Sequence, residues 1–148
     1  MEVSIQQATE DHLNGIHKLV LDWGYSASES ATLEWLEALL DSPNHQVFVA
    51  IADGSVAGWA VAEKRMKLGS GVFSEITALV VSSSYRREGM GKLLVNAVEE
   101  WSTNLGLSRL VVRSNVTRLE SHEFYPAIGF ERTKTTHVYA KALKPSRK

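Results

Sequence analysis

Residues 82 to 94 read SSSYRREGMGKLL. Arg86 and Arg87 stand beside two glycines one residue apart, Gly89 and Gly91, and Lys92 follows. The apolar run Ala78-Leu79-Val80-Val81 precedes them, and helical spacing comes after. A plain strand-to-helix turn needs at most one glycine. Two glycines remove side chains where the helix starts, and the first amides of a helix have no partner inside it. Those amides and the positive end of the helix dipole attract anions. Bare backbone with cations around it can cradle a phosphate or pyrophosphate. The same residues also suit an ordinary charged turn, and alone the pattern does not separate the two.

Rival phosphate motifs are absent. GxxxxGK followed by Ser or Thr fails because Leu93 follows Gly91-Lys92, and no glycine stands five residues before Gly91. GxGxxG is absent, and Gly54-Ser55-Val56-Ala57-Gly58 is no nucleophile elbow, since its serine is misplaced. There is no cysteine, which removes disulfides, thiol catalysis and cysteine-ligated zinc. His12, His17, His45, His122 and His137 show no metal spacing, so no metal is expected. A formal net charge of −1 gives no basic field for nucleic acid. The first residues, MEVSIQQATEDH, have neither a basic nor an apolar leader region. No apolar run approaches the roughly 18 residues of a membrane span. The expectation is a cytoplasmic protein without membrane or nucleic-acid partners.

The elements that would position the glycine turn follow from periodicity. Val3 to Gln7 reads as a strand. Thr9 can cap a helix with Leu13, Ile16, Leu19 and Val20, ended by Gly24. Ser28 can cap a second, with Leu33, Leu36 and Leu40 on one face. Gln46 to Ala52 and Val56 to Ala62 are strands about an Asp53-Gly54 turn. Lys64 to Gly71 reads as a basic loop, and Phe73 to Val81 as a strand. From Gly91 a helix carries Leu93, Leu94, Ala97, Val98 and Trp101. Leu110 to Arg113 is a short strand, Leu119 to Ala127 a helix, and Thr133 to Ala142 a last strand. This order predicts an α/β fold in one domain, residues 1–143, with a basic tail at 144–148.

Arg86-Arg87-Glu88-Gly89-Met90-Gly91 resembles the Q/R-x-x-G-x-G/A signature of the GNAT family of N-acetyltransferases. The segment HEFYPAIGFE, residues 122 to 131, resembles that family's xxLYxxxGFE. The resemblance covers nearly the whole chain, element by element. It implies a mixed, mostly antiparallel sheet flanked by helices, with two splayed parallel strands, Phe73–Val81 and Leu110–Arg113. Acetyl-coenzyme A would enter that gap as cosubstrate. Leu79, Val80 and Val81 would meet its pantetheine arm, with the Val81 amide as oxyanion donor. Arg86, Arg87, Glu88, Gly89, Met90, Gly91 and Lys92 would hold its pyrophosphate.

The implied reaction is acetyl transfer from a thioester to a primary amine. Such an amine, with a pKa near 10 if it resembles lysine, must lose a proton before it attacks. By resemblance Glu75, in FSEITALVVSS, is the candidate base, and Tyr125 is the candidate acid for the departing thiolate. A glutamate among Phe73, Ile76, Leu79 and Val81 also fits a strand glutamate paired to an arginine, and Tyr125 also fits a packing role.

The chain departs from the commonest family pattern at two places. Arg118 replaces an asparagine seven before the tyrosine, and Ser121 an alanine four before it. NVTRLESHEFY looks closer to a branch with R-x-x-A-H-x-F-Y, which includes small-molecule acetyltransferases such as those acting on aminoalkylphosphonates. Arg118 therefore joins the candidate cofactor contacts; it and His122 could each touch cofactor or substrate or cap the helix, and His122 reads first as structural. Trp23 and Tyr25, in LDWGYSASES, are candidates to receive the amine by cation–π contact, or core residues. Glu75 joins them as a candidate substrate contact. The expected acceptor is a small-molecule amine; a protein acceptor, or an acyl-coenzyme A sensor without catalysis, are the alternatives. Relatives are commonly dimers, and the last strand has an edge-like pattern, so a homodimer is expected.

Overall fold

Thr9 starts the helical layer. Its hydroxyl accepts the Asp11 N–H at 3.3 Å, and His12 Nδ1 accepts the Thr9 N–H at 3.0 Å, a reciprocal cap. The computed structural model describes residues 2–85, 88–114 and 118–144. Residues 1–113 and 114–148 form two compact units.

The first unit holds a sheet of five strands in chain order: β1 (Val3–Gln7), β2 (His45–Ala52), β3 (Ser55–Lys67), β4 (Gly71–Val81) and β5 (Leu110–Val112). The first four pair antiparallel, and β4 and β5 pair parallel. Helices α1 (Leu13–Asp22) and α2 (Glu29–Asp41) belong to one core, in which Ile16 and Leu36 pack with Val47, Val49 and Val61. Helix α3 (Met90–Asn104) buries Met90, Leu94, Val95 and Val98 against β2, β3 and β4. Gly58 is required there: a Cβ on it would lie 2.8 Å from the Val80 carbonyl oxygen and 3.3 Å from Leu94. Ser74 and Ser102 tie β4 to α3, their hydroxyls 2.7 Å apart and buried.

Several expectations change. Lys64 to Gly71 is not a loop. β3 continues to Lys67 and β4 begins at Gly71, with Lys64 opposite Ser74 and Lys67 opposite Gly71. Its charged residues resembled loop composition, yet the ladder satisfies their backbone while Arg65 and Lys67 find side-chain partners; Lys67 Nζ lies 5.7 Å from the Phe73 ring centroid. On α2 the buried positions are Thr32 and Leu36, and Leu40 is exposed. The Thr32 hydroxyl donates to the Ser28 carbonyl, so a polar residue can face the sheet there. On α3, Leu93 is exposed and Val95 is buried.

The second unit contains α4 (Leu119–Ala127). Residues 130–144 take no strand among the described residues, contrary to the strand expected from Thr133 to Ala142. A strand is stable only with a partner for its backbone, however favourable its residues. Residues 145–148 of the expected basic tail lie outside the described residues.

Candidate active site

β4 changes its pairing along its length. β5 stands beside Ser74, Glu75 and Ile76, paired with Leu110, Val111 and Val112. Beyond Ile76, among the described residues, the strand pairs only with β3. The register shifts at Thr77: Ala62 faces Ile76 while Val61 faces Ala78, so Thr77 is an extra residue, a β-bulge. This shift decides which amides face outward. Ser74 N–H donates toward β5, to the Arg109 carbonyl, and Ser82 N–H donates toward β3, to the Ala57 carbonyl. Backbone groups alternate along a strand. After the bulge, Leu79 and Val81 therefore present N–H and C=O to the open side, and Val80 presents its own to β3. The opening is a row of backbone donors and acceptors, the kind an extended amide chain can pair with.

The open row leads to the start of α3. Gly89 precedes the helix with φ 79°, a left-handed conformation that glycine adopts without strain, and no side chain caps the helix. The amides of Met90, Gly91 and Lys92 occupy the first turn, where no helical carbonyl precedes them. Met90 is fully buried and anchors that turn, and Glu88 is exposed. Arg86 and Arg87 lie outside the described residues. An anion set here would meet bare backbone at a helix start.

Glu75 is buried, with 6% of its surface exposed, and it is not isolated. Arg65 Nη1 donates to its Oε1 at 3.0 Å, and Arg113 Nε lies 3.4 Å from the same oxygen. Arg65, within the stretch read as a basic loop, instead stands on β3 and makes these contacts. Removing a carboxylate from water is costly unless such partners accompany it. Arg113 and Glu63 were not singled out in the sequence. The available signal was the Glu63-x-Arg65 spacing, which puts both on one face of a strand.

Trp23 is half-buried and Tyr25 is largely exposed, in the turn after α1. His17 Nε2, 2.8 Å from the Ala27 carbonyl oxygen, ties this turn back to α1. In the second unit, Tyr125 packs edge-on against Phe124 and Phe130, with ring centroids 5.0 and 5.5 Å away. Burial pushes its phenol above the ordinary value, and the Arg118 charge pulls partly back. Arg118 precedes α4, and His122 is exposed on it. A cavity of about 300 Å³ by Thr9, Leu40 and His45 is lined by none of the candidate residues. Among the described residues, no cluster of three metal-ligating side chains occurs.

Residues 13–130 match the acetyltransferase (GNAT) family. The chain belongs to that family. This GNAT acetyltransferase has the family's five-stranded mixed sheet with β4 and β5 parallel. It is similar to the aminoglycoside N(6')-acetyltransferase type 1 of Salmonella typhimurium, 30% identical over 135 residues, 88% of this chain and 91% of that one. It is also similar in structure to AAC(6')-Iy in complex with the bisubstrate analogue CoA-S-monomethyl-acetylneamine. That likeness has a TM-score of 0.87 at 26% identity, covering 97% of this chain and 100% of that chain. The aminoglycoside N-acetyltransferase AAC(6')-Iy in complex with CoA gives a TM-score of 0.87 at 27% identity, over 95% of each chain. No helix among the described residues is long and apolar enough to cross a membrane.

Proposed function

We propose that this acetyltransferase moves the acetyl group of acetyl-coenzyme A to a primary amine of a small molecule, by direct attack in a ternary complex. The acceptor class is a polyamine sugar of the aminoglycoside kind. The observation that carries the donor is the open row at Leu79 and Val81 leading to the glycine start of α3. An amide-bearing pantetheine arm fits the row, and a pyrophosphate fits the helix start, with Lys92 and the flanking Arg86 and Arg87 supplying charge. The acceptor class is supported by the aminoglycoside acetyltransferases to which the chain is similar.

In this reading the amine nitrogen attacks the thioester carbonyl, an amide bond forms, and the carbon–sulfur bond breaks. The Val81 amide faces the developing oxyanion; one such donor is typically worth about 3 kcal/mol of barrier. Glu75 meets the acceptor amine and takes its proton, directly or through water. Tyr125 returns a proton to the thiolate; a phenol with an ordinary value of about 10, pushed higher here by burial, carries that proton at neutral pH. A second reading of Glu75 has its own support. With two guanidiniums on Oε1, it is also suited to holding the ammonium charge of the acceptor without taking a proton. Trp23 and Tyr25 flank the acceptor.

The reading extends to a cytoplasmic homodimer. Exposed Val138 and Tyr139, within a run of strand-forming residues from Thr133 to Ala142, support pairing with a second copy. Light scattering at micromolar concentration should give twice the chain mass; a monomer mass rejects the dimer. For the activity, a panel of amines is screened for coenzyme A release and scored by kcat/KM. Aminoglycosides should lead the panel; a lysine peptide leading it would favour a protein acceptor. Cofactor binding without release with any amine would favour a sensor.

A further inference from the structure

A charged row crosses the sheet at Glu75. Ser42 Oγ lies 2.7 Å from His45 Nδ1, and His45 Nε2 lies 3.4 Å from Glu63 Oε2. Glu63 Oε1 lies 3.6 Å from Arg65 Nε, and Arg65 Nη1 bonds Glu75 Oε1. Glu63 and Glu75 are directly opposite across β3 and β4, a repulsive placement for two carboxylates. Arg65 resolves it by touching both. Held at Nε and at Nη1, its planar guanidinium cannot turn away without unpairing one carboxylate.

Arg113 is held differently. It makes a longer approach, 3.4 Å from Nε to Glu75 Oε1, and its side chain is 45% exposed. A half-solvated guanidinium loses little on returning to water. Glu75 loses much if left alone, because it is buried. A buried carboxylate facing an exchangeable cation is a site for another cation.

We infer that Arg65 is a positioning residue that presents Glu75, and that Arg113 is the resident cation which the acceptor ammonium displaces. The inference rests on the reading that Glu75 meets the acceptor amine. Apart from His45, the row contains two carboxylates and two guanidiniums, so these four charges balance before the acceptor arrives. Releasing Arg113 leaves one negative charge for one ammonium. An uncharged acceptor cannot make this exchange, so the arrangement selects cationic amines and sets Arg113 as their competitor.

The two arginines then have opposite effects. The test is calorimetric titration of the full chain with neamine in saturating coenzyme A. Arg113→Gln should bind neamine about three- to tenfold more tightly, and Arg65→Gln more weakly by a similar factor. Arg65→Lys keeps the charge without the two-point hold and should also weaken binding, which preserves the readout if Arg65→Gln does not fold. In a Glu75→Gln background, Arg113→Gln should change nothing. Unchanged or weaker binding by Arg113→Gln overturns the inference, as does an Arg113 effect that persists without the Glu75 charge. Wild-type protein that binds coenzyme A but no neamine overturns the acceptor reading itself, and this inference with it. That failure is distinct from wild-type binding with the wrong sign at Arg113.

Discussion

Ile76 and Val112 form the last pairing between β4 and β5. One residue later, the bulge at Thr77 turns Leu79 and Val81 toward the side β5 has left. The end of β5 leaves the opening, and the inserted residue decides which backbone groups face it. Gly58 holds β3 close against this part of β4.

Gly58→Ala should therefore injure the site as well as the fold. Its Cβ would meet the Val80 carbonyl oxygen at 2.8 Å, and backbone cannot swing aside. Overpacking of this kind typically costs about 1–3 kcal/mol. Chemical denaturation should show that loss, and coenzyme A affinity should fall in the protein that remains folded. Unaltered affinity would detach the site from the β3–β4 contact.

Gly89→Glu should nearly abolish binding of acetyl-coenzyme A, because its carboxylate would stand where the pyrophosphate approaches. Any side chain at φ 79° adds strain of about 1–2 kcal/mol. Gly89→Ala carries the same strain without the charge and serves as the control. Calorimetry should separate the two variants; equal affinities would remove α3 from the cofactor contact.

Much of this arrangement was legible in the sequence. The glycine pair, the strand before it and the helix after it follow from spacing, because a helix start and an apolar strand leave local signatures. The bulge at Thr77 does not, since it depends on which β3 residue each β4 residue faces. Nor does the Arg65–Glu75–Arg113 contact, which joins β3, β4 and the residue just after β5 and depends on strand register. Lys64 to Lys67 looked like a loop because local composition cannot reveal a partner strand. Thr133 to Ala142 shows the converse: strand-forming residues do not make a strand alone. Arg86 and Arg87, the most conspicuous charges in the sequence, lie outside the described residues.

Glu75→Gln separates the two roles offered for that carboxylate. As a base, its loss should remove the acidic limb of the profile and lower kcat/KM most above that limb, where wild type has the carboxylate ionised, with cofactor affinity nearly intact. As an anchor, its loss should raise the acceptor KM at every pH and leave the limb in place. An unchanged profile and an unchanged KM would take Glu75 out of the site.

Ser102→Ala should cost about 1 kcal/mol, near the net worth of a typical hydrogen bond. The Ser74 hydroxyl keeps a second acceptor, the Arg109 carbonyl oxygen at 3.3 Å, so it is not stranded. Thermal denaturation checks this. A loss of several kcal/mol would mean that Ser74 depends on Ser102 alone.

Tyr125→Phe keeps the ring between Phe124 and Phe130 and removes only the phenol proton. If that proton goes to the thiolate, kcat should fall by roughly 10²-fold with the cofactor Kd unchanged. Burial raises the phenol, so the proton-donating form persists as pH rises, and the alkaline limb of wild-type kcat should lie above the ordinary phenol value of about 10. A limb below that value, or near wild-type activity in Tyr125→Phe, would assign the proton elsewhere.

The most direct measurement is mass spectrometry of neamine incubated with acetyl-coenzyme A and the purified protein, with free thiol followed in parallel. The proposed reaction should yield monoacetylated neamine and coenzyme A thiol in equal amounts, both dependent on the protein. Folded protein that binds coenzyme A yet yields neither acetylated neamine nor thiol would contradict it.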